Sequence, residues 1–327
     1  MNELRGKTVL LLAPKFFGYE LEIKKELENF GAEVIYFDER PKNDFLTKVF
    51  LRLNIKSLIQ KKIDVYYQNI ISETKQKEIG YLFLVNAETV DVNKINLIKR
   101  YHPSIKVYTY MWDSVKNKKK SMQYLGVSDK FFTFDPNDTN INSKIQFLPL
   151  FYIRDYENLA AKDTNEFDIS FVGTIHSDRY QVVKSIETKG LKVFYYFYSP
   201  SKILFKLQQL MHKNFKEIDP KDIYFVSFKK EQLLEAIAKS KAIIDIEHPD
   251  QKGLTMRTME MIGAKKKLIT TNSNIKEYDF YTPQNICIID RKNPQVEKSF
   301  FESDYEELPN NIYVKYSLRS WIKEIFK

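Results

Sequence analysis

The stretch GLTMRTMEMIGAKKKLITTN, residues 253–272, sets an arginine and a glutamate three positions apart just behind a glycine. Arg257 and Glu260 would share one helix face, where a guanidinium can meet a phosphate or the carboxylate. A carboxylate in the second turn can accept both hydroxyls of a ribose. Gly253 and the free N–H groups of Leu254 and Thr255 would stand at the helix start, where unpaired amides favour a diphosphate, and Thr255 could add its hydroxyl. The plainer alternative is a surface ion pair between Arg257 and Glu260, worth roughly 0.3–0.5 kcal/mol. Leu254, Met256, Met259, Met261 and Ile262 surround the pair, however, and predict a mostly buried helix, in which charges need partners.

A second candidate lies upstream, in FVGTIHSDR. Gly173 and Thr174 end a buried run, and Arg179 follows at a helix start, so the backbone can approach a ligand and the arginine can meet phosphate. A strand-end turn with Ser177 as helix cap is the structural alternative. His248, in the polar loop IEHPDQKG, is grouped with these donor-side residues. Three further segments end apolar runs: APKFFGYE offers Lys15, Gly18 and Glu20, VNAET offers Asn86, and MWDS offers Trp112 and Asp113. Asp113 could act as general base toward a hydroxyl, with Trp112 as platform for a sugar ring, or it could simply cap the next helix. The four histidines, at 102, 176, 212 and 248, show no metal-binding spacing, and no Walker loop, GxGxxG or serine elbow occurs.

Such residues need strand ends to carry them. KTVLLLAPKFFG, YELEIKKELENFG and AEVIYFDER read as strand, helix and strand, with Leu21, Leu27 and Phe30 on the helix face and Gly31 as its stop. The pattern continues through YLFLVNA, VNKINLIKRYH, KVYTYMWD, KFFTFDP and IQFLPLF. The chain turns polar over residues 151–167 and resumes with DISFVGTI, a helix, LKVFYYFY, a long basic amphipathic helix at 201–216, and DIYFVSF. EQLLEAIAKS, KAIIDIE, the stretch quoted first, and NICIID complete the series. Two doubly wound α/β domains follow, 1–152 and 153–305, facing across a cleft into which the carboxyl ends of their strands point. In residues 306–327, Tyr316, Leu318, Trp321, Ile322, Ile325 and Phe326 form one apolar helix face that closes the second core or braces the first domain.

Composition fits a packed globular protein: 43% of the 327 residues are hydrophobic and 29% charged. The lone Cys287 excludes an internal disulfide, and no apolar run is long enough to cross a bilayer or to serve as a signal peptide, so a cytoplasmic protein is expected. A formal charge of +9 favours an anionic partner without naming it. Residues 45–63 and 201–216 mix apolar and basic side chains and could touch an anionic membrane. Nothing resembles a nucleic-acid recognition module, which leaves a basic nucleic-acid-binding protein as a distant alternative.

FVGTIHSDR and GLTMRTMEMIGAKKKLITTN together resemble the donor-binding lobe of GT-B glycosyltransferases, especially bacterial enzymes of capsule and lipopolysaccharide synthesis and the spore-protein-like group near them. TYMWDSVKN, FFTFDPND and FLPLFY are similar to the first lobe of the lipopolysaccharide group. The resemblance implies two Rossmann-like domains, a nucleoside-diphosphate sugar as donor, a saccharide or lipid-linked saccharide as acceptor, and neither metal nor other cofactor. It gives the ribose to Glu260 and the diphosphate to Arg257 and the backbone of Gly253–Thr255, with Gly173 and Arg179 lining the same site. Retaining members carry another acidic residue before this helix. Glu247 is its counterpart here as a second catalytic carboxylate, though its distance from Glu260 departs from the usual spacing. A sugar-nucleotide epimerase of the same fold is the alternative enzyme.

Overall fold

The computed structural model describes residues 3–41, 59–159, 165–187, 190–249 and 251–327. The chain divides into two compact units, Met1–Leu150 with Leu318–Lys327, and Phe151–Ser317.

The first unit holds a six-stranded parallel sheet: β1 (Thr8–Ala13), β2 (Glu33–Asp38), β3 (Tyr81–Val85), β4 (Lys106–Met111), β5 (Lys130–Thr133) and β6 (Ile145–Phe147), in the spatial order β2-β1-β3-β4-β5-β6. The inner strands β1, β3 and β4 are almost continuously buried because both faces are covered there, as in parallel sheets generally. Side chains alternate between those faces. Leu10, Leu12, Leu82, Leu84 and Val107 pack with two helices, α2 (Gln60–Thr74) and α3 (Val92–Tyr101), through Ile63, Tyr67, Ile70, Ile95 and Ile98. On the other face, Tyr110 meets Trp321 at 4.7 Å between ring centroids, and Phe326 lies 5.2–5.4 Å from Tyr81, Phe83 and Tyr108. Trp321 and Phe326 belong to the end of the chain, whose last helix, Leu318–Ile325, thus completes the first core. Arg319 of that helix reaches Glu26 of α1 (Tyr19–Asn29) at 2.7 Å.

In the second unit the strands are β7 (Phe167–Thr174), β8 (Val193–Tyr198), β9 (Ile223–Tyr224), β10 (Ser240–Asp245), β11 (Lys267–Thr270) and β12 (Ile286–Ile288). The spatial order is β12-β11-β10-β7-β8-β9, all parallel. Counted within the unit this is the Rossmann order 3-2-1-4-5-6, and the winding reverses between β7 and β10. The corresponding reversal in the first sheet lies between β1 and β3.

Several expectations need correction. Leu21 is exposed, and Ile23 joins Leu27 on the buried face of α1, because a period of 3.6 rotates Leu21 away from the sheet. Tyr316 is not part of the terminal apolar face: it packs on Phe280 and donates to Asp279 at 2.6 Å, within the second unit. The long helix at 201–216 breaks at His212, whose extended backbone separates Lys202–Met211 from Lys213–Lys216. DIYFVSF supplies only two strand residues, at the sheet edge. Most of the basic segment at 45–63 and part of the polar connection at 151–167 lie outside the described residues.

Candidate functional site

In a doubly wound sheet, neighbouring loops diverge where the winding reverses and leave room for a ligand beyond the strand ends. In the second unit that place is bounded by the ends of β7 and β10. Gly173 is the next-to-last residue of β7, and a Cβ there would lie 3.1 Å from the Phe171 ring and 3.4 Å from Nη1 of Arg179. The glycine therefore lets the guanidinium fold back over the strand end, 5.8 Å above the Phe171 ring. Arg179 donates from Nε to the carbonyl of Ile246 at 2.8 Å and from Nη1 to that of Thr174 at 2.9 Å, tying β7 to the residue after β10. Among the described residues nothing accepts from its Nη2. Burial, partly offset by Asp245, lowers the Arg179 pKa to about 10, which leaves it cationic at neutral pH.

Asp245 ends β10 and organises the next helix. Its buried carboxylate accepts from the hydroxyls of Thr255 at 2.5 Å and Thr258 at 2.9 Å. Burial holds its pKa above the ordinary carboxylate value, against the pull of those hydroxyls and Arg179. Thr255 is the N-cap of the helix Met256–Ala264, its oxygen accepting from the Thr258 amide at 3.4 Å. Its hydroxyl is therefore committed to the protein. The loop before it is braced by Gln251, which donates to the Gly253 carbonyl at 2.8 Å, and by Asn272, which donates to that of Lys252 at 3.1 Å. Leu254 is buried.

Arg257 and Glu260 form an ion pair of 2.6 Å in the first two turns of this helix, with side chains only 17% and 7% exposed. Those exposures separate the pair from an ordinary surface bridge. Arg257 also appears among the positive charges that depress the Arg179 pKa, so the two guanidinium groups lie within electrostatic reach of each other.

Glu247 and His248 follow on the same rim. Glu247 is buried, accepts from Thr271 at 2.6 Å and pairs with Arg291 at 2.6 Å, and Arg291 in turn meets Asp178 at 2.7 Å. Both Glu247 oxygens are thus engaged by the protein. The His176 and His248 rings lie 6.0 Å apart. Ser177 has a positive φ of 49°, and its hydroxyl lies 3.0 Å from His176 Nδ1.

Burial, with Arg179 and His248 adding repulsion, lowers the His176 pKa to about 3 from 6.5. The unfolded chain then binds a proton that the folded chain refuses, so stability present above about pH 6.5 is lost as the pH falls toward 3. His176→Gln should remove this loss. Thermal melts of both proteins at pH 7 and pH 5 should show a wild-type deficit of roughly 1–2 kcal/mol at the lower pH that the variant lacks.

On the first unit's rim, Gly18 takes φ 81° as it starts α1, and the buried Glu20 accepts from the Phe16 amide at 3.0 Å, so Glu20 clamps this loop instead of facing a ligand. Lys15 is exposed. Phe16 stands 5.6 Å from Trp112. Asn86 is buried with a positive φ of 47°, and its Nδ2 donates to Asp113 Oδ2 at 3.1 Å. Asp113 caps no helix: the turn after it is held by Ser114, which accepts from Asn117, and by Asp138, which accepts from Val115, before a 3₁₀ helix at Lys119–Gly126.

Three organising residues escaped the sequence reading: Asp245, Arg291 and Glu39. Glu39 is fully buried, accepts from the amides of Glu88 and Thr89, and so ties the end of β2 to the loop after β3. Asp245 and Glu39 are charged residues at the end of an apolar strand and Arg291 lies three residues beyond one, and that placement was the available signal. Among the described residues no cluster of three or more His, Cys, Asp or Glu could hold a metal ion.

No protein-family model matches the chain, and no curated protein matches it in sequence. Solved structures do match in fold. A glycosyltransferase from Rickettsia africae ESF-5 is 13% identical, with 98% of this chain and 94% of that one covered and a TM-score of 0.51. A UDP-GlcNAc 2-epimerase from Methanocaldococcus jannaschii, solved with UDP-GlcNAc and UDP, is 12% identical over 87% of this chain and 88% of that one, with a TM-score of 0.50. At such identities the likeness establishes the fold: α/β, with two Rossmann-like doubly wound units of the GT-B type.

Proposed function

We propose that the protein is a glycosyltransferase that moves a sugar from a nucleoside diphosphate to a saccharide or lipid-linked saccharide. The observation that carries this reading is the reversal point of the second sheet. There Arg179 is pinned across two strand ends, and a helix begins with Arg257 and Glu260 paired in its first turns. Helix amides and guanidinium groups suit a diphosphate, and Glu260 suits the ribose beside it. In the transfer, the bond from the anomeric carbon to the diphosphate oxygen breaks and the bond to an acceptor oxygen forms. The acceptor proton passes to Asp113, which Asn86 holds in place, and the nucleoside diphosphate leaves with charge spread over the arginines and the helix amides.

A role in bacterial capsule or lipopolysaccharide synthesis is the finer form of this proposal and rests on the sequence resemblance. The epimerase likeness supports a second reading, isomerisation of a free sugar nucleotide. One experiment separates them. UDP, GDP, ADP, CMP and dTDP sugars are screened for a rise in melting temperature, and the stabilising donor is incubated with and without saccharide acceptors. Acceptor-dependent release of the nucleoside diphosphate supports the transferase, and an isomerised donor formed without acceptor supports the epimerase. Failure of every sugar nucleotide to stabilise the protein rejects both.

A further inference from the structure

We propose that the helix Lys202–Met211 is a docking surface for an anionic lipid bilayer. The helix is anchored by one side. Phe205, its only buried residue, packs near Phe215 and Phe225 at 6.3 and 6.1 Å. At 100° per residue, Ile203, Leu207, Leu210 and Met211 fall within about a quarter of the circumference and roughly opposite Phe205. These four are 74%, 49%, 75% and 74% exposed, so the most apolar stripe of the helix faces solvent. A helix that served only to cover the sheet would turn this stripe inward.

The flanks indicate what covers it. Lys202, Lys206, Lys213 and Lys216 are all exposed, and residues 201–216 contain no acidic side chain. A second copy of the chain would bring the same lysines against one another on a protein of formal charge +9, and a nucleic acid would leave the leucines and methionine uncovered. Anionic lipid offers both an apolar interior and a negative headgroup layer, and a helix with an apolar crest and the lysines 202 and 206 along one flank fits that boundary. A convex helix also suits a plane better than a groove. Among the described residues no helix is long and apolar enough to cross a membrane, so the contact is lateral. The helix begins four residues after Tyr198, which pairs with Thr174 on the rim of the candidate donor site, so docking holds that rim near the lipid.

The test is co-sedimentation of the full chain with vesicles of phosphatidylcholine alone and with about one third phosphatidylglycerol. Binding is expected only to the second kind and should weaken as salt rises from about 0.05 to about 0.5 M. The combined substitution Ile203→Gln, Leu210→Gln, Met211→Gln should lower the partition coefficient about tenfold or more. Lys202→Ser with Lys206→Ser keeps the apolar crest and should lower it severalfold for anionic vesicles. Absence of binding to anionic vesicles, or binding unchanged in both variants, overturns the proposal. So does a wild-type oligomer that the glutamine variant converts to monomer without any vesicle binding, which would assign the stripe to a second copy.

Discussion

Joint replacement of Arg257 by methionine and Glu260 by leucine should leave the protein folded and lower its affinity for the donor sugar nucleotide by about a hundredfold, some 2.7 kcal/mol. With side chains 17% and 7% exposed, removing either partner alone takes the close counter-charge from a poorly hydrated group and should cost about 3–5 kcal/mol of stability. Replacing both with apolar side chains of similar volume is often neutral or stabilising, which makes the double variant the clean probe of binding. Titration calorimetry with the donor found in the screen measures the first quantity, and a thermal melt measures the second. If the pair is only a structural bridge, the double variant binds as wild type does, and the donor assignment fails. Arg257→Lys offers a graded check, because a lysine still faces Glu260 but cannot make the two-pronged phosphate contact.

That experiment targets residues visible in the sequence, and the reason they were visible is local. A helix preceded by a glycine loop and a strand declares itself within twenty residues, and charges amid methionines stand out against helical periodicity. The alternation of apolar runs with amphipathic segments likewise made both sheets legible, since a parallel strand buried on two faces leaves an unbroken apolar run. What could not be read is non-local. Arg291 meets Glu247 across 44 positions, and the amides of Glu88 and Thr89 meet Glu39 across about fifty, and no spacing rule spans such distances. Thr255 illustrates the converse failure. Its place at the helix start is local and was evident, but its hydroxyl answers to Asp245 ten residues earlier, and that choice depends on a strand end meeting a helix start in three dimensions. Tyr316 was misassigned for a related reason: the apolar periodicity of the chain's end runs straight through the point where it leaves one unit for the other.

Gly263→Ala should lower the stability of the second unit by about 3 kcal/mol, enough to shift its melting temperature by roughly 6–12 °C. Gly263 lies on the helix of Arg257 and Glu260, where a new Cβ would stand 2.6 Å from Cγ of Tyr152 and 2.8 Å from its Cβ and Cδ2. No real Cβ contact is that short, so something must move. The tyrosine is poorly placed to do so. It is fully buried, its amide donates to the Tyr316 carbonyl at 2.9 Å, and its hydroxyl donates to that of Tyr313 at 3.0 Å. Tyr313 in turn donates to the Gly263 carbonyl at 2.8 Å, so the residue that fixes the Tyr152 hydroxyl is itself tied to the crowded helix. Helix propensity alone would favour alanine here by up to about 1 kcal/mol, and the packing clash must outweigh it. A double-mutant cycle decides between them. Tyr152→Ala removes a buried aromatic and costs about 3–5 kcal/mol by itself, but in that background the added methyl has room. Gly263→Ala should then be neutral or stabilising. If it destabilises equally with and without the Tyr152 ring, the clash is not the cause. Because the strained helix carries Arg257, the single variant should also weaken donor binding, and Tyr152→Ala should restore part of it.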